Sequence, residues 1–468
     1  MLRRTTVTFA LIVTYLALWA VLKPPLQSPD EPQHLLRAAA VWREPWISSS
    51  PEWLALEPRL VNPIAAQPPA ALGKLFFHGE RSLLPQDVSS LKATPWDMPG
   101  QAPERAWTPL ASYPPGYYGA VLLLAETTRA WILPTPYQQT YVYRFWTLLM
   151  ASVLWTLVYL VLRRLPETSA RAELLLAFLL LNAMLAFVTS ATTPDAVNIP
   201  LATLAVLLTY RALMHEQPRS HVLAALALAA CLLTKPSGLL IFGGLCGATV
   251  LLWRLRLVSA RQAAWTALTS IVPTGIAWLI FYAWSPLAFR ASTPQSLPVT
   301  DYLISLLTRA PKIASAYWGK LGWRDYHLPL IWYALLFALL AVNAALMARA
   351  LWKTRGGRGV RGGGARPVES EAQPVTSFVI FTAAVFAGYV VLMAFGEYRY
   401  LPMAGENFQG RHLLPASIGL AGLVSHDEAW ARRLLIGYLA IMNVAFMHAS
   451  IVRYFGGNWS AFWQSLPW

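Results

Sequence analysis

The chain has 468 residues, 56% of them hydrophobic and 13% charged, with a mean hydropathy of +0.45. Apolar runs of roughly 18 to 24 residues recur along it, the length that crosses the hydrocarbon core of a bilayer, so a soluble core is excluded and a polytopic α-helical membrane protein is expected. The net charge of +15 does not point to nucleic acid, because the basic residues fall in short clusters between apolar runs, as orientation signals do.

The N-terminal stretch MLRRTTVTFALIVTYLALWAVL has the basic and apolar regions of a signal peptide but no small-x-small cleavage site, and KPPLQSPDEP follows it. It reads as an uncleaved first span with Arg3 and Arg4 in the cytoplasm. Asp30 and Glu31 then lie outside, in a first external loop over 23–138 that carries interfacial helices. Segment 113–133, YPPGYYGAVLLLAETTRAWIL, decides the remaining topology. If it spans, the clusters at Arg163/Arg164/Arg171, Arg254/Arg256/Arg261, Lys353 to Arg366 and Arg432/Arg433 face outside; if it lies in the interface, all of them face the cytoplasm. The positive-inside rule favours the interface, as do Glu126 and Arg129 in its second half.

Ten further spans are expected at 139–162, 172–190, 196–214, 220–234, 237–253, 262–284, 328–350, 375–395, 411–425 and 434–452, about eleven in all. They form a single transmembrane domain over 1–468, with a second external loop at 286–327 and a cytoplasmic Gly/Arg linker at 354–374. The linker stretch GGRGVRGGGARPVESEAQP lacks the Lys-Ser/Thr ending of a phosphate-binding loop. Cys231 and Cys246 sit within apolar segments without metal-ligand spacing and read as inert. His78, His215 and His221 show no ligand spacing either.

With this topology the unusual polar residues fall on one side. Asp30 and Glu31, Tyr113-Pro-Pro-Gly-Tyr-Tyr118, Thr193-Pro-Asp195, Thr234-Lys235-Pro236, the stretch from Tyr317 to Asp325 and Asn407-Phe-Gln-Gly-Arg-His412 all lie at external helix ends or in external loops. A transporter places polar groups near the midplane, often on broken helices, and these spans are nearly free of ionisable residues.

An acidic pair just after the first span, a Tyr-Pro-Pro-x-Tyr-Tyr interfacial helix and an Asp in the second external loop resemble the GT-C superfamily of membrane glycosyltransferases, which use polyprenyl-phosphate sugars. More closely, PDEPQH, PDA, TKP, WGxxGW and QGRHLLP together resemble a bacterial family of predicted membrane proteins of unknown function, over about residues 7 to 455. The resemblance implies a GT-C-like fold in the bacterial inner membrane, with the site facing the periplasm or exterior. For the narrower family it implies fold better than reaction.

Sugar transfer from a phosphate to a hydroxyl needs a carboxylate for the acceptor's proton and a cation for the departing phosphate. Asp30 is the candidate base, because the resembling families place their catalytic acid in this loop, with Glu31 or His34 orienting it or holding a metal. The competing reading is that Asp30 caps a helix starting at Glu31-Pro32. Asp195 is a second carboxylate, either a ligand of Mg²⁺ or Mn²⁺ together with Glu31 or a helix cap; some resembling enzymes work without metal, so both chemistries stay open. Arg411 and Lys235 are the phosphate candidates, with interface anchoring as the alternative, and Gly410 would let backbone approach the ligand. Arg144 and Arg399 are weaker phosphate candidates, Arg144 alternatively a satisfied helix-start residue. Tyr117, Tyr118 and Gln409 are placed as substrate-binding residues; Trp318 and Trp323 read as interface-belt aromatics.

The expected function is transfer of a sugar from a polyprenyl-phosphate donor to a cell-envelope glycan, lipid or protein. The alternatives are a lipid-linked-glycan flippase and a non-catalytic polyprenyl-glycan-binding assembly protein.

Overall fold

The computed structural model describes residues 2–28, 30–43, 53–57, 59–67, 72, 82–95, 105–107, 113–132, 134–284, 298–321, 326–356, 372–404 and 409–467. Seven of its helices are long and apolar enough to cross a membrane: Leu2–Val21, Pro136–Arg164, Asp195–His215, Ala260–Ile280, Leu330–Lys353, Val375–Tyr398 and Ala429–Phe455. The pair Ser169–Leu180 and Ala183–Thr189 makes an eighth if taken as one span bent by 76°. Asn182 sets that bend, since its side chain accepts the Leu185 N–H at 3.0 Å and starts a new helix in a new direction. The two helices Pro218–Thr234 and Gly238–Arg254 are apolar but only 17 residues each.

The expected span 411–425 is a 3₁₀ helix, Gly410–Val424, with Pro415 inside it. A 3₁₀ run of this length is uncommon and rises faster per residue than an α-helix, so fifteen residues reach further than their number suggests. Pro136–Arg164 begins on a capping box, in which the Thr135 N–H donates to Gln138 at 3.0 Å and the Gln138 N–H to the Thr135 hydroxyl at 3.3 Å. Pro136 occupies the first helical position, where its missing N–H costs nothing. Helices Gly238–Arg254 and Ala372–Ala404 approach through Gly244 and Gly388. A Cβ on Gly244 would lie 2.8 Å from the Val385 carbonyl oxygen, so a larger residue would push the two helices apart.

The first loop region holds helices Glu31–Ala40, Pro63–Ala66, Pro85–Lys92 and Pro115–Ile132, and a short antiparallel pairing of Trp53–Ala55 with Arg105–Trp107. Pro115–Ile132 is not among the helices that qualify as spans. His78 lies outside the described residues. The segment read as a plain external loop, 286–327, contains a helix, Val299–Gly319. Its charged residues and Pro311 hide an amphipathic pattern: Tyr302, Tyr317 and Trp318 are buried, while Leu303, Ile304 and Leu307 are exposed. Arg309 fastens it to Ala372–Ala404 by two bonds to Glu397, at 3.0 and 3.1 Å. Trp318 packs edge-on against Phe178 and is a packing residue, not a belt residue, whereas Trp323 is outside the described residues. Helix Leu330–Gly356 and helix Ala372–Ala404 both run into the expected linker, whose residues 357–371 are not described.

Candidate functional site

Six polar side chains from five segments, Asp30 and His34 sharing one, meet at one end of the bundle beside Ser28, Thr193 and His412. Asp30 comes from the turn after the first span, His34 from helix Glu31–Ala40 and Tyr113 from just before helix Pro115–Ile132. Asp195 heads its helix, Lys235 follows the last residue of Pro218–Thr234 in extended conformation, and Arg411 opens the 3₁₀ helix. Pro236 holds Lys235 out of the helical region and so turns its side chain off the helix end. The six line a cavity of about 30 Å³, room for roughly one water.

Two ion pairs face this cavity. Arg411 Nη2 lies 2.8 Å from Asp30 Oδ2, and Lys235 Nζ lies 2.6 Å from Asp195 Oδ1. Three of these side chains are about one-sixth exposed, and Asp30 is the most open at 36%. The capping readings do not describe these carboxylates. Asp30 stands at the N-cap position, yet its side chain makes no cap bond, and its backbone is left-handed at φ 63°, a conformation Asp tolerates and most residues avoid. Asp195 is likewise turned to Lys235.

Burial would raise the Asp30 carboxyl, but the Arg411 charge, with His34, the Arg411 hydrogen bond and Lys235 behind it, holds it below the usual carboxylate range. Burial would lower the Lys235 ammonium, and Asp195 more than offsets this, so Lys235 stays a cation. His34 goes the other way: burial pushes it down to about 4, against the pull of Asp30 and Asp195. It is therefore a neutral imidazole at physiological pH, its Nδ1 2.8 Å from the Tyr118 hydroxyl.

Glu31 is not part of this cavity. It is fully buried and grips Arg144 through both oxygens, each at 2.7 Å, and also accepts the Thr192 N–H at 3.1 Å. Arg144 spends its remaining N–H groups on the carbonyls of Ala20, Lys23 and Pro24, at 2.9, 2.8 and 2.7 Å. Lys23 is buried beside them, on the Phe187 carbonyl and the Ser190 hydroxyl. This clamp pins the turn that carries Asp30 to helix Pro136–Arg164. Glu31 is thus the partner of a buried guanidinium, neither an open carboxylate nor a metal ligand, and Arg144 is a saturated structural residue with nothing left for phosphate.

The donor set expected for a divalent cation is not assembled. Glu31 is held by Arg144 and Asp195 by Lys235, and the described residues contain no group of three or more His, Cys, Asp or Glu able to hold an ion.

Tyr117 faces Thr147, hydroxyl to hydroxyl at 2.9 Å, and does not line the cavity; Tyr118 acts on it only through His34. Gln409 adjoins Arg411 with its Oε1 buried and without a partner among the described residues, and Arg411 Nε is in the same condition. Gly410 is needed for packing: a Cβ there would run into the backbone of Ile313 and Tyr317, so the glycine brings the 3₁₀ helix against Val299–Gly319 and sets where Arg411 begins. The Arg399 side chain lies outside the described residues. Sequence reasoning left Tyr113 out of the site and did not name Lys23, while for Arg144 the structure matches the alternative of a satisfied helix-start residue; a Lys and an Arg beside apolar runs each require a buried partner, and that requirement is the signal for the clamp.

The fold and site together define a multi-pass helical membrane protein with paired carboxylates and cations gathered at one end of its bundle. The chain belongs to the family described as predicted membrane protein (DUF2142), whose model matches residues 13–420. Among curated proteins none matches. One similar solved structure is ArnT from Cupriavidus metallidurans bound to undecaprenyl phosphate, 12% identical with a TM-score of 0.35, covering 96% of this chain and 79% of that one.

Proposed function

We propose that this protein is a membrane glycosyltransferase that passes a sugar from a polyprenyl-phosphate donor to a hydroxyl of a cell-envelope acceptor at the outer face of the bacterial inner membrane. One observation carries the reading: the Asp30–Arg411 and Asp195–Lys235 pairs face one cavity, and Arg411 Nε has no hydrogen-bond partner among the described residues. The outward orientation rests on the basic clusters, which gather at the opposite helix ends.

A cavity for one water does not hold a sugar phosphate, so the site works by exchange of partners. The donor phosphate takes Arg411, with Lys235 close by, and Asp30 is released from its cation. Its proton affinity then rises toward that of an ordinary carboxylate, which is what a general base needs. The acceptor oxygen attacks the anomeric carbon while Asp30 takes its proton, and the bond from that carbon to the phosphate oxygen breaks with inversion. Polyprenyl phosphate leaves with its added negative charge held on Arg411. Neutral His34, held by the Tyr118 hydroxyl, lines the cavity with Asp30 without competing for the proton. No step is routed through a metal.

The test is incubation of the purified protein with a labelled polyprenyl-phosphate sugar and envelope extract. Release of polyprenyl phosphate, lost in Asp30→Asn, is the expected result. Donor binding without release would return the protein to the non-catalytic glycan-binding reading.

A further inference from the structure

Three elements leave the site just described and arrive together at a second cavity. Helix Pro136–Arg164 carries Arg144 near one end and Arg164 at the other, about 30 Å apart at 1.5 Å per residue. Helix Asp195–His215 runs from Asp195 to Tyr210, about 22 Å on the same rise. The 3₁₀ helix runs from Arg411 to the Ser425 corner, about 28 Å at 2.0 Å per residue. Two of these lengths match the hydrocarbon thickness of a bilayer and the third covers most of it, so the second cavity lies toward the opposite membrane face.

This cavity encloses about 780 Å³. Glu167 lines it, with a side chain only 2% exposed. Its Oε1 accepts the Tyr210 hydroxyl at 3.2 Å, but Oε2 is buried without a hydrogen-bond partner among the described residues. His215 Nε2 also lies 3.2 Å from Oε1, so Oε2 is the oxygen left without a donor among the described residues, and a buried carboxylate oxygen in that state is costly. Arg349 and Lys353 also line the cavity, one turn apart on helix Leu330–Gly356, both exposed and neither with a carboxylate partner among the described residues. Arg171, by contrast, is already spent on Asp427 and the Ser425 carbonyl. Leu346, Met347 and Val375 supply an apolar wall.

We infer that this cavity binds a phospholipid head group that carries both an N–H donor and a phosphodiester, of the phosphatidylethanolamine type, in the leaflet opposite the sugar-transfer site. The ammonium meets Glu167 Oε2, the phosphodiester meets Arg349 and Lys353, and the apolar wall takes the start of the acyl region. A quaternary ammonium has no N–H to give Glu167, and a glycerol head group brings no positive charge to it. The site therefore selects on chemistry that neither phosphatidylcholine nor phosphatidylglycerol offers.

Native mass spectrometry of the full-length protein in detergent, titrated with each lipid, tests this. Phosphatidylethanolamine should bind about tenfold or more tightly than either of the others, the scale of one charge-assisted hydrogen bond. Glu167→Gln still accepts the Tyr210 hydroxyl, so the fold is kept, and should bring the preference over phosphatidylcholine close to one. Arg349→Ala with Lys353→Ala should weaken phosphatidylethanolamine and phosphatidylglycerol alike. Equal affinity for all three lipids, or a preference for phosphatidylglycerol, would overturn the assignment. Water-soluble glycerophosphoethanolamine should bind far more weakly than the lipid; equal binding would make the ligand a soluble phosphodiester and overturn the lipid source. Because the readout is lipid binding, its failure is separate from any failure of sugar transfer.

Discussion

Arg411 Nη2 and Asp30 Oδ2 are 2.8 Å apart although 381 positions separate the two residues in the chain. Each would be an awkward group alone at a membrane surface, and each restrains the other: the cation keeps the carboxylate ionised, and the carboxylate keeps one edge of the guanidinium occupied. Nε, on the same edge as Nη2 and buried without a hydrogen-bond partner among the described residues, is the second donor that a phosphate displacing Asp30 would gain.

Arg411→Lys keeps the charge and can still pair with Asp30, but presents a point charge in place of a fork. Donor kcat/KM should fall by roughly one to two orders of magnitude, while the acceptor KM barely changes. Kinetics of both proteins in the same nanodiscs measure this. Equal donor kinetics would return Arg411 to an interface anchor and leave Lys235 as the phosphate candidate.

Asp30→Asn removes the proton acceptor and leaves the size of the side chain. Since Asp30 makes no cap bond, helix Glu31–Ala40 loses nothing. Membrane accumulation should be normal and turnover reduced roughly 10²-fold or more. Wild-type turnover in this variant would sink the base assignment.

Stability should depend on pH through His34, which faces Asp30, Asp195, Lys235 and Arg411. Folded, it takes a proton only near about 4, whereas in an unfolded chain it does so near roughly 6.5. Between those values the unfolded chain binds more protons, so stability rises with pH across this window and is lost on acidification through it. The lowered Asp30 and Glu31 act in the same direction at lower pH, their contribution being lost as pH falls through their folded values. The melting temperature should be flat near pH 7 to 8 and fall from about pH 6.5 downward, with a shallower fall in His34→Gln. Identical slopes would show that His34 is not the neutral buried group.

Sidedness has its own measurement. Single cysteines at Ser89 and Ala170, both reachable by solvent, should differ in a background of Cys231→Ala and Cys246→Ala. An impermeant thiol reagent added to intact cells should label position 89 and spare 170. Labelling at 170 from outside would invert the proposed orientation.

Much of the architecture was legible because hydrophobic length is a coarse signal: apolar runs such as those now in Pro136–Arg164 and Ala429–Phe455 announce themselves. The Val299–Gly319 helix was not, since Arg309 and Asp301 break its apolar pattern and their compensation, Glu397 for Arg309, lies on another helix. The grouping of Asp30, His34, Asp195, Lys235 and Arg411 followed from sidedness alone. Their pairing did not, nor did the diversion of Glu31. An acidic doublet looks the same in sequence whether both members are open or one is taken by a guanidinium two turns into a distant helix.

That diversion yields the sharpest stability prediction. Glu31 and Arg144 are 0% and 1% exposed in their side chains, so removing either leaves a desolvated charge without its partner. Glu31→Gln or Arg144→Met should each cost about 3 to 5 kcal/mol, enough to lower accumulation and melting temperature sharply, because the loss includes the buried charge left behind. The Glu31→Gln, Arg144→Met pair removes both charges and should recover part of the loss, giving a coupling of about 1 to 3 kcal/mol. The recovery is incomplete because Met cannot hold the Ala20, Lys23 and Pro24 carbonyls. If Glu31 were an open catalytic carboxylate instead, Glu31→Gln would abolish turnover at unchanged melting temperature. Thermal unfolding of the four proteins in one detergent, read beside their turnover, separates these two outcomes.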